Sequence, residues 1–406
     1  MLVTYVTIED ICSGLFQTQI LDIVNEILTQ EGHIEYEIII INRPWKIFKH
    51  LKKKYKYKIQ NKDLPIRFRY LPILPPLRYA VDSILFSTFV SGLLTSACKI
   101  FISKSTVVVH SRSYWATYAS IKSQNKPVIF DMRSLWPAEN ISAGKLTEGS
   151  KAEKYWKNLE RFCLNEAAIS TGVTSGMVKY VKSIAPKCKA SLIPISVDIR
   201  KFMFHADSRA IRRKELGWDD KIILVYSGSL GLAGINRTTL AEMLQQLLAI
   251  NENINVLFLS MENAATIDKM MFNKSINTER YKIIQPAMKI LPEWLSAGDI
   301  GVHALPKQLD SFTRLGTKVV EYWANGLPII VNEFVGAAVE IINEFEVGYV
   351  HSIGDSKEET SDKIRKLLGY NREQITLFAQ KMFSLQKVAA KYLEVYKNAT
   401  FINSTY

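Results

Sequence analysis

The sequence predicts an α/β protein built from two consecutive parallel-sheet units. Three observations carry that expectation. Short apolar runs alternate with longer amphipathic stretches, the pattern of strands layered between helices. The cycle runs through the first half of the chain and starts again after a join near residues 203–218. Within the second cycle, Leu315–Ile330 reads as a loop, a short helix, a helix stop and a buried strand.

The elements follow in order. Leu2–Val6 is the first strand, then a Ser13-Gly14 turn and a helix over Gln17–Leu28. Glu37–Ile41 and Arg67–Leu71 are the next strands. Residues 83–98 form sixteen uncharged positions between Asp82 and Lys99, with six Ser/Thr and a glycine. A spanning helix needs roughly 20 apolar residues, so a helix packed inside the α/β layers is expected. Strands at Thr106–His110 and Pro127–Asp131, a helix over 151–167, and strands at Ala168–Val173 and Ala190–Pro194 complete the first half. The second half has strands at Lys221–Tyr226, Asn255–Ser260, Tyr281–Ile284, Ile300–Ala304 and Pro328–Asn332, with a helix over Arg237–Ile250. The expected division is 1–202, 203–385 and a C-terminal helix from 386 that packs back on the first half.

Composition narrows the function classes. The chain has 406 residues, enough for two ordinary domains, and at 48% apolar and 22% charged it is globular. Cys12, Cys98, Cys163 and Cys188 include no CxxC pair, which argues against a zinc site or disulfide framework and fits a reducing compartment. The first residues lack a basic n-region, so no signal peptide is expected. The net charge of +13 is concentrated. Arg43–Arg69 holds eleven Lys/Arg against Asp63 alone, a net +10, leaving +3 for the remainder. This segment mixes its cations with Trp45, Phe48, Tyr55 and Tyr57, which suits an anionic membrane surface ahead of a plain solvated face or nucleic acid. No nucleic-acid motif accompanies it, so no nucleic-acid partner is expected.

The Leu315–Ile330 segment is the most informative. Gly316 and Thr317 open its helix, with Thr317 expected as the cap, and Asn325-Gly326 closes it. Lys318 lies in the first turn and Glu321 one turn on. A helix N-terminus with a lysine suits a phosphate, and a carboxylate beyond it suits hydroxyl groups. The pair also permits a simple i,i+3 ion pair. Together they point to a nucleotide-sugar-shaped ligand.

Ligands in open parallel sheets bind beyond the carboxyl ends of strands. If the two halves face each other, those loops line one cleft. Gly228, Gly231 and Gly234 are spaced GxxGxxG rather than as a dinucleotide fingerprint, and the next strand-end acid, Glu262, comes late for one. They read either as a diphosphate-approach loop or as a flexible turn. His110 reads as a base or polar clamp, or as a hydrogen-bonded histidine at a strand end. Asp131 and Arg133 read as ligand-holding groups or as an internal ion pair.

The residues so far resemble retaining glycosyltransferases of family 4, of the bacterial surface-polysaccharide type. The similar segments are His110-Ser111-Arg112-Ser113-Tyr114, Asp131–Glu139, Ile193–Phe202, Tyr226–Gly231 and Thr317–Pro328, the last resembling the family's TKxxEYxAxGxP. The resemblance implies two Rossmann-like domains facing across a cleft, the GT-B fold. It implies a hexosyltransferase-like enzyme for capsule, O-antigen or lipopolysaccharide synthesis. The donor would be a nucleotide-sugar and the acceptor a glycan or a polyprenyl-diphosphate-linked glycan. It implies no metal or other cofactor, and a cytoplasmic protein peripheral on the inner face of the cytoplasmic membrane. On that resemblance Glu321 binds the donor ribose, and Arg314, Leu315, Gly316 and Thr317 face the diphosphate with Gly228 and Ser229. Ser13 and Gly14 lie near the donor phosphates. His110, Arg237 and Lys318 are the candidate catalytic groups, and Arg112, Asp131 and Arg133 the acceptor side. The chain departs from the family at Thr313, where a glutamate is usual, at Ser229, where arginine is usual, and at Ser196, where glycine is usual. Arg237 or Arg314 is the candidate substitute cation. Alternatives of other kinds are a nucleotide-sugar epimerase on the same fold, or a non-enzymatic membrane- or polyanion-binding protein with a degenerate site.

Overall fold

The central strands, such as Glu35–Ile41 and Ile329–Asn332, are buried on both faces and so are covered on both sides by helices, as parallel sheets require. The computed structural model describes residues 1–60, 64–75, 81–230 and 237–403. The chain divides into two compact units: Met1–Ser196 together with the helix Leu385–Asn403, and Val197–Ser384. Gly231 and Gly234 of the glycine-spaced loop lie outside the described residues.

The described strands of the first unit are β1 (Leu2–Thr7), β2 (Glu35–Ile41), β3 (Ile66–Leu71), β4 (Val108–Arg112), β5 (Val128–Asp131), β6 (Ile169–Gly172) and β7 (Ala190–Leu192). They form one parallel sheet in the order β3-β2-β1-β4-β5-β6-β7. Order reverses direction between β1 and β4, the switch point where open sheets leave a crevice. One side of the sheet is covered by the helix Asp22–Gln30 and by the C-terminal helix, which pack on each other. Tyr36 and Tyr396 share a buried hydroxyl contact (3.1 Å), and Gln30 donates to the Gln386 carbonyl (3.1 Å).

The helix Ile84–Phe101 starts at Ser83, whose hydroxyl accepts the Phe86 N–H (3.3 Å). It does not lie wholly inside the layers as expected. One face is buried and the other carries exposed apolar side chains.

The second unit has β8 (Ile222–Ser227), β9 (Ile254–Leu259), β10 (Tyr281–Ile284), β11 (Ile300–His303), β12 (Ile329–Asn332) and β13 (Gly348–His351), in the parallel order β10-β9-β8-β11-β12-β13. β13 was not expected from sequence. It is a four-residue edge strand whose Gly-Tyr-Val-His run is too short and mixed to show a period. The unit closes on itself where Val197 donates its N–H to the Phe383 carbonyl (2.9 Å). Asn325 ties the Ile199–Phe202 turn into this unit by donating to the carbonyls of Phe202 (3.1 Å) and Met203 (3.0 Å). The second unit thus includes Val197–Met203.

The helix Thr317–Ala324 ends as its sequence dictates. Gly326 is left-handed (φ +74°), its N–H reaches the Trp323 carbonyl (3.0 Å), and the Leu327 N–H reaches Tyr322 (2.9 Å). The start differs from expectation. Gly316, not Thr317, holds the N-cap position, and no side chain caps it.

Candidate functional site

At the carboxyl edge of the second unit, three loops are drawn together by the Thr317–Ala324 helix. Gly301 on β11 makes the approach possible, because a Cβ there would sit 2.5 Å from the Tyr322 ring. The Tyr322 hydroxyl accepts the Ser227 N–H at the end of β8 (2.6 Å). Gly228 follows with φ +134° and lies under the Lys318 side chain, whose Cγ would be 3.7 Å from a Cβ at that position. Gly316 packs on His303 at the end of β11, with 3.0 Å between a built Cβ and Nε2. The structure therefore brings Gly228, Gly316, Thr317 and Lys318 to one place, around helix N–H groups without a side-chain cap.

Lys318 donates to Glu321 (2.9 Å), so the i,i+3 pair left open by the sequence is formed. Glu321 is 13% exposed in its side chain. Burial raises its pKa, and Lys318 opposes that rise. Ser229 donates to Glu262 (3.3 Å), and Arg237, with 46% of its side chain exposed, sits 3.5 Å from the other Glu262 oxygen. Glu262 is fixed by the Ser260 hydroxyl, which accepts its N–H (3.1 Å). Its part in holding both Ser229 and Arg237 was not read from sequence; its position at a strand end was the available signal.

Arg314 donates to Asp310 (2.5 Å), a nearly fully buried carboxylate, while Leu315 is buried. Thr313, at the position of the family's usual glutamate, is buried and donates to the Asp310 carbonyl (2.8 Å). His303 is buried, and burial with Arg314 nearby lowers its pKa to about 4, so it is neutral at pH 7.

The first unit holds a second constellation. Asp131 ends β5 and accepts from Thr171 (3.0 Å) and Tyr392 (3.0 Å) through Oδ1, and from Arg112 (3.4 Å) through Oδ2. Arg133 stands 3.6 Å away and donates to Gln19 (2.7 Å). Burial alone would raise the Asp131 pKa; Arg133, His110 and Arg112 overcome this and hold it well below the carboxylate range. The internal ion-pair reading of Asp131 and Arg133 is therefore what the geometry contains. His110 is inside β4 rather than at its end. Its Nδ1 is 2.7 Å from the Tyr396 hydroxyl, its Nε2 is 3.6 Å from Asp131, and the residue is 2% exposed. It is the hydrogen-bonded strand histidine, and burial lowers its pKa.

Sequence reading missed the partners on the C-terminal helix, Tyr392 and Tyr396. Their i,i+4 spacing was the available signal. It also missed Ser113, which takes a left-handed backbone (φ +78°) between β4 and the helix Tyr114–Ser123. Ser13 caps the short helix Gly14–Phe16 that follows β1, accepting the Phe16 N–H (3.0 Å), and Gly14 is exposed beside it.

No protein-family model matches the chain, and no curated protein matches its sequence. Solved structures do match. Sucrose-phosphate synthase from Thermosynechococcus elongatus superposes with a TM-score of 0.67 at 15% identity, covering 98% of each chain. Anabaena HepE in complex with UDP-glucose gives 0.62 at 12% identity, covering 98% of this chain and 99% of that one. WaaG, a glycosyltransferase involved in lipopolysaccharide biosynthesis, gives 0.62 at 13% identity over 97% and 99%. The architecture they share is the GT-B glycosyltransferase fold, and this chain has that fold.

Proposed function

We propose that the chain is a retaining glycosyltransferase that moves a sugar from a nucleotide-sugar donor to a glycan or lipid-linked acceptor in surface-polysaccharide synthesis. The observation that carries it is the joined set of Gly228, Gly316, Thr317, Lys318 and Glu321 on a fold of this class. The backbone at Gly228 and the helix N-terminus suit a diphosphate, with Lys318 as its cation. Glu321 suits the ribose hydroxyls. Arg237 is the further cation of the diphosphate region. The acceptor belongs to the first unit.

In this reaction the acceptor hydroxyl oxygen bonds to the donor's anomeric carbon on the face that the diphosphate leaves. The carbon–phosphate oxygen bond breaks, and the departing diphosphate oxygen takes the hydroxyl proton. The protein's contribution is positioning and stabilisation of the leaving negative charge. His110, buried in its tyrosine cage, acts in this scheme as a positioning residue.

The third partner is an anionic membrane surface, met through residues 43–69. Trp45, Phe48 and Tyr55 are exposed there among lysines. On this reading the protein is peripheral on the inner face of the cytoplasmic membrane.

The test is transfer from a panel of UDP-, GDP- and dTDP-sugars to a lipid-linked acceptor, beside product analysis without acceptor. Transfer with retained anomeric configuration supports the reading. Isomerised donor in the absence of acceptor makes the chain an epimerase. Donor turnover undiminished in Glu321→Ala removes the assigned role of Glu321.

A further inference from the structure

The helix Ile84–Phe101 is packed on one side only. Ser87, Val90, Ser91, Leu94, Ala97 and Cys98 are its buried residues, spaced by three and four along a single stripe. That stripe faces the helices Tyr114–Ser123 and Lys151–Glu166. The hydroxyls of Ser91 and Tyr155 meet across it at 3.3 Å. The outer side starts with Ile84, Leu85 (86% exposed) and Phe89 (60% exposed). It continues with Gly92, Ser96 and Lys99 to Ile100 (72% exposed) in the last turn, so its larger apolar patch, Ile84, Leu85 and Phe89, lies at the N-terminal end. By length and mean hydropathy (18 residues, 1.6) the helix passes for a membrane span. Spanning would tear the buried stripe from its partners. Dipping the N-terminal end into a bilayer would not.

The placement of that end brings charge to the same edge. β2 and β3 pair in parallel from Tyr36↔Ile66 to Ile41↔Leu71, so their carboxyl ends lie together. The helix Ile47–Gln60 follows β2 and the helix Ile84–Phe101 follows β3, so both begin at this edge. The loops after the two strands are tied, with the Tyr70 hydroxyl donating to the Arg43 carbonyl (2.8 Å) and the Leu74 N–H to the Asn42 carbonyl (3.0 Å). Right-handed crossovers put the two helices on opposite faces of the sheet, each starting at its carboxyl edge. One presents Lys49, Lys52 and Lys56 with Phe48 and Tyr55. The other presents an apolar tip of Ile84, Leu85 and Phe89, with the exposed Asp82 just before its Ser83 cap. Cations and a bare apolar tip at one edge match a surface that is anionic outside and hydrocarbon within.

We infer that Ile84, Leu85 and Phe89 are an insertion anchor that enters the acyl region of an anionic bilayer while the lysine-bearing helix lies on the headgroups. The inference rests on reading residues 43–69 as membrane-facing, and it adds a second, salt-resistant attachment from another part of the chain. Two signals hold a peripheral protein more firmly than one.

The experiment is co-sedimentation with phosphatidylglycerol/phosphatidylcholine vesicles at low and high salt. The proteins are wild type, Leu85→Ser/Phe89→Ser, and Lys49→Glu/Lys52→Glu/Lys56→Glu. The serine pair is expected to lower partitioning by about tenfold or more and to abolish the part that survives high salt. An environment-sensitive fluorophore on Leu85→Cys, in a Cys12→Ser background because Cys12 is the exposed cysteine, is expected to be quenched by lipids brominated in the acyl chain. Unchanged partitioning of the serine pair with an unquenched probe overturns the anchor. If the charge-reversed protein alone fails to bind, the basic helix is the whole attachment and the anchor is refuted. If wild type does not bind at all, both readings fall. Circular dichroism of each variant separates lost binding from lost folding.

Discussion

Replacing Glu321 by alanine removes the carboxylate assigned to the donor ribose and leaves Lys318 without its 2.9 Å partner. A hydrogen bond to a charged group contributes about 1.5–3 kcal/mol. Losing one such bond therefore weakens nucleotide binding by about tenfold to a hundredfold. The broken i,i+3 pair changes this little, since such pairs contribute only about 0.2–0.5 kcal/mol on a helix surface. Glutamine separates binding from stability. Burial raises the Glu321 pKa, so the folded chain holds that proton more tightly than the unfolded chain. An acid with a raised folded pKa loses stability as pH rises through the interval between its unfolded and folded values, and above it the buried charge is a standing cost. Glu321→Gln is expected to bind nucleotide more weakly than wild type yet to melt no lower at pH 7. Calorimetric titration of a matching nucleoside diphosphate and thermal unfolding at two pH values measure both. Wild-type affinity in the alanine variant, with the variant folded, would refute the ribose role.

Three further outcomes follow from the same structure. His303 has its pKa lowered to about 4 by burial, so the unfolded chain takes up a proton that the folded chain refuses; its contribution is fully present above pH ~6.5 and is lost as pH falls toward 4. That loss is roughly 3 kcal/mol of second-unit stability, and His303→Gln should flatten the dependence in urea titrations at pH 7 and 4.5. Asp131→Asn leaves Arg112 and Arg133 beside a neutral partner in a buried site and should destabilise the first unit by about 3–5 kcal/mol in denaturant unfolding, far more than any exposed-pair substitution. Gly301→Ala places a Cβ 2.5 Å from the Tyr322 ring and should cost about 1–3 kcal/mol, with weakened nucleotide binding because the Thr317–Ala324 helix must shift.

Much of the fold was open to reading along the chain because its signals are local. Apolar runs such as Ile38–Ile41 and Ile329–Val331 can be satisfied only as buried strands between helices. The Asn325-Gly326 stop needs no tertiary partner to define it. Lys318 and Glu321 were legible as a pair because one helical turn separates them. The Arg43–Arg69 charge excess is likewise a property of the sequence.

The rest depended on contacts between segments far apart in the chain. Nothing near His110 foretells that Tyr396, 286 positions away, will lie against its Nδ1. A strand histidine thus becomes a caged one. Gly301 is an ordinary strand glycine until Tyr322 is packed over it, and only then does it govern where Lys318 and Glu321 stand. The apolar Ile84–Phe101 helix has the composition of a core helix. Whether it has one covered face or two is set by how many neighbours the sheet order supplies, and here one face is left bare. The sequence by itself determined the α/β layering, the helix stop and the charge patch. The tertiary structure decided which polar groups meet, because hydrogen bonds and ion pairs act over a few ångströms while the residues that make them are hundreds of positions apart.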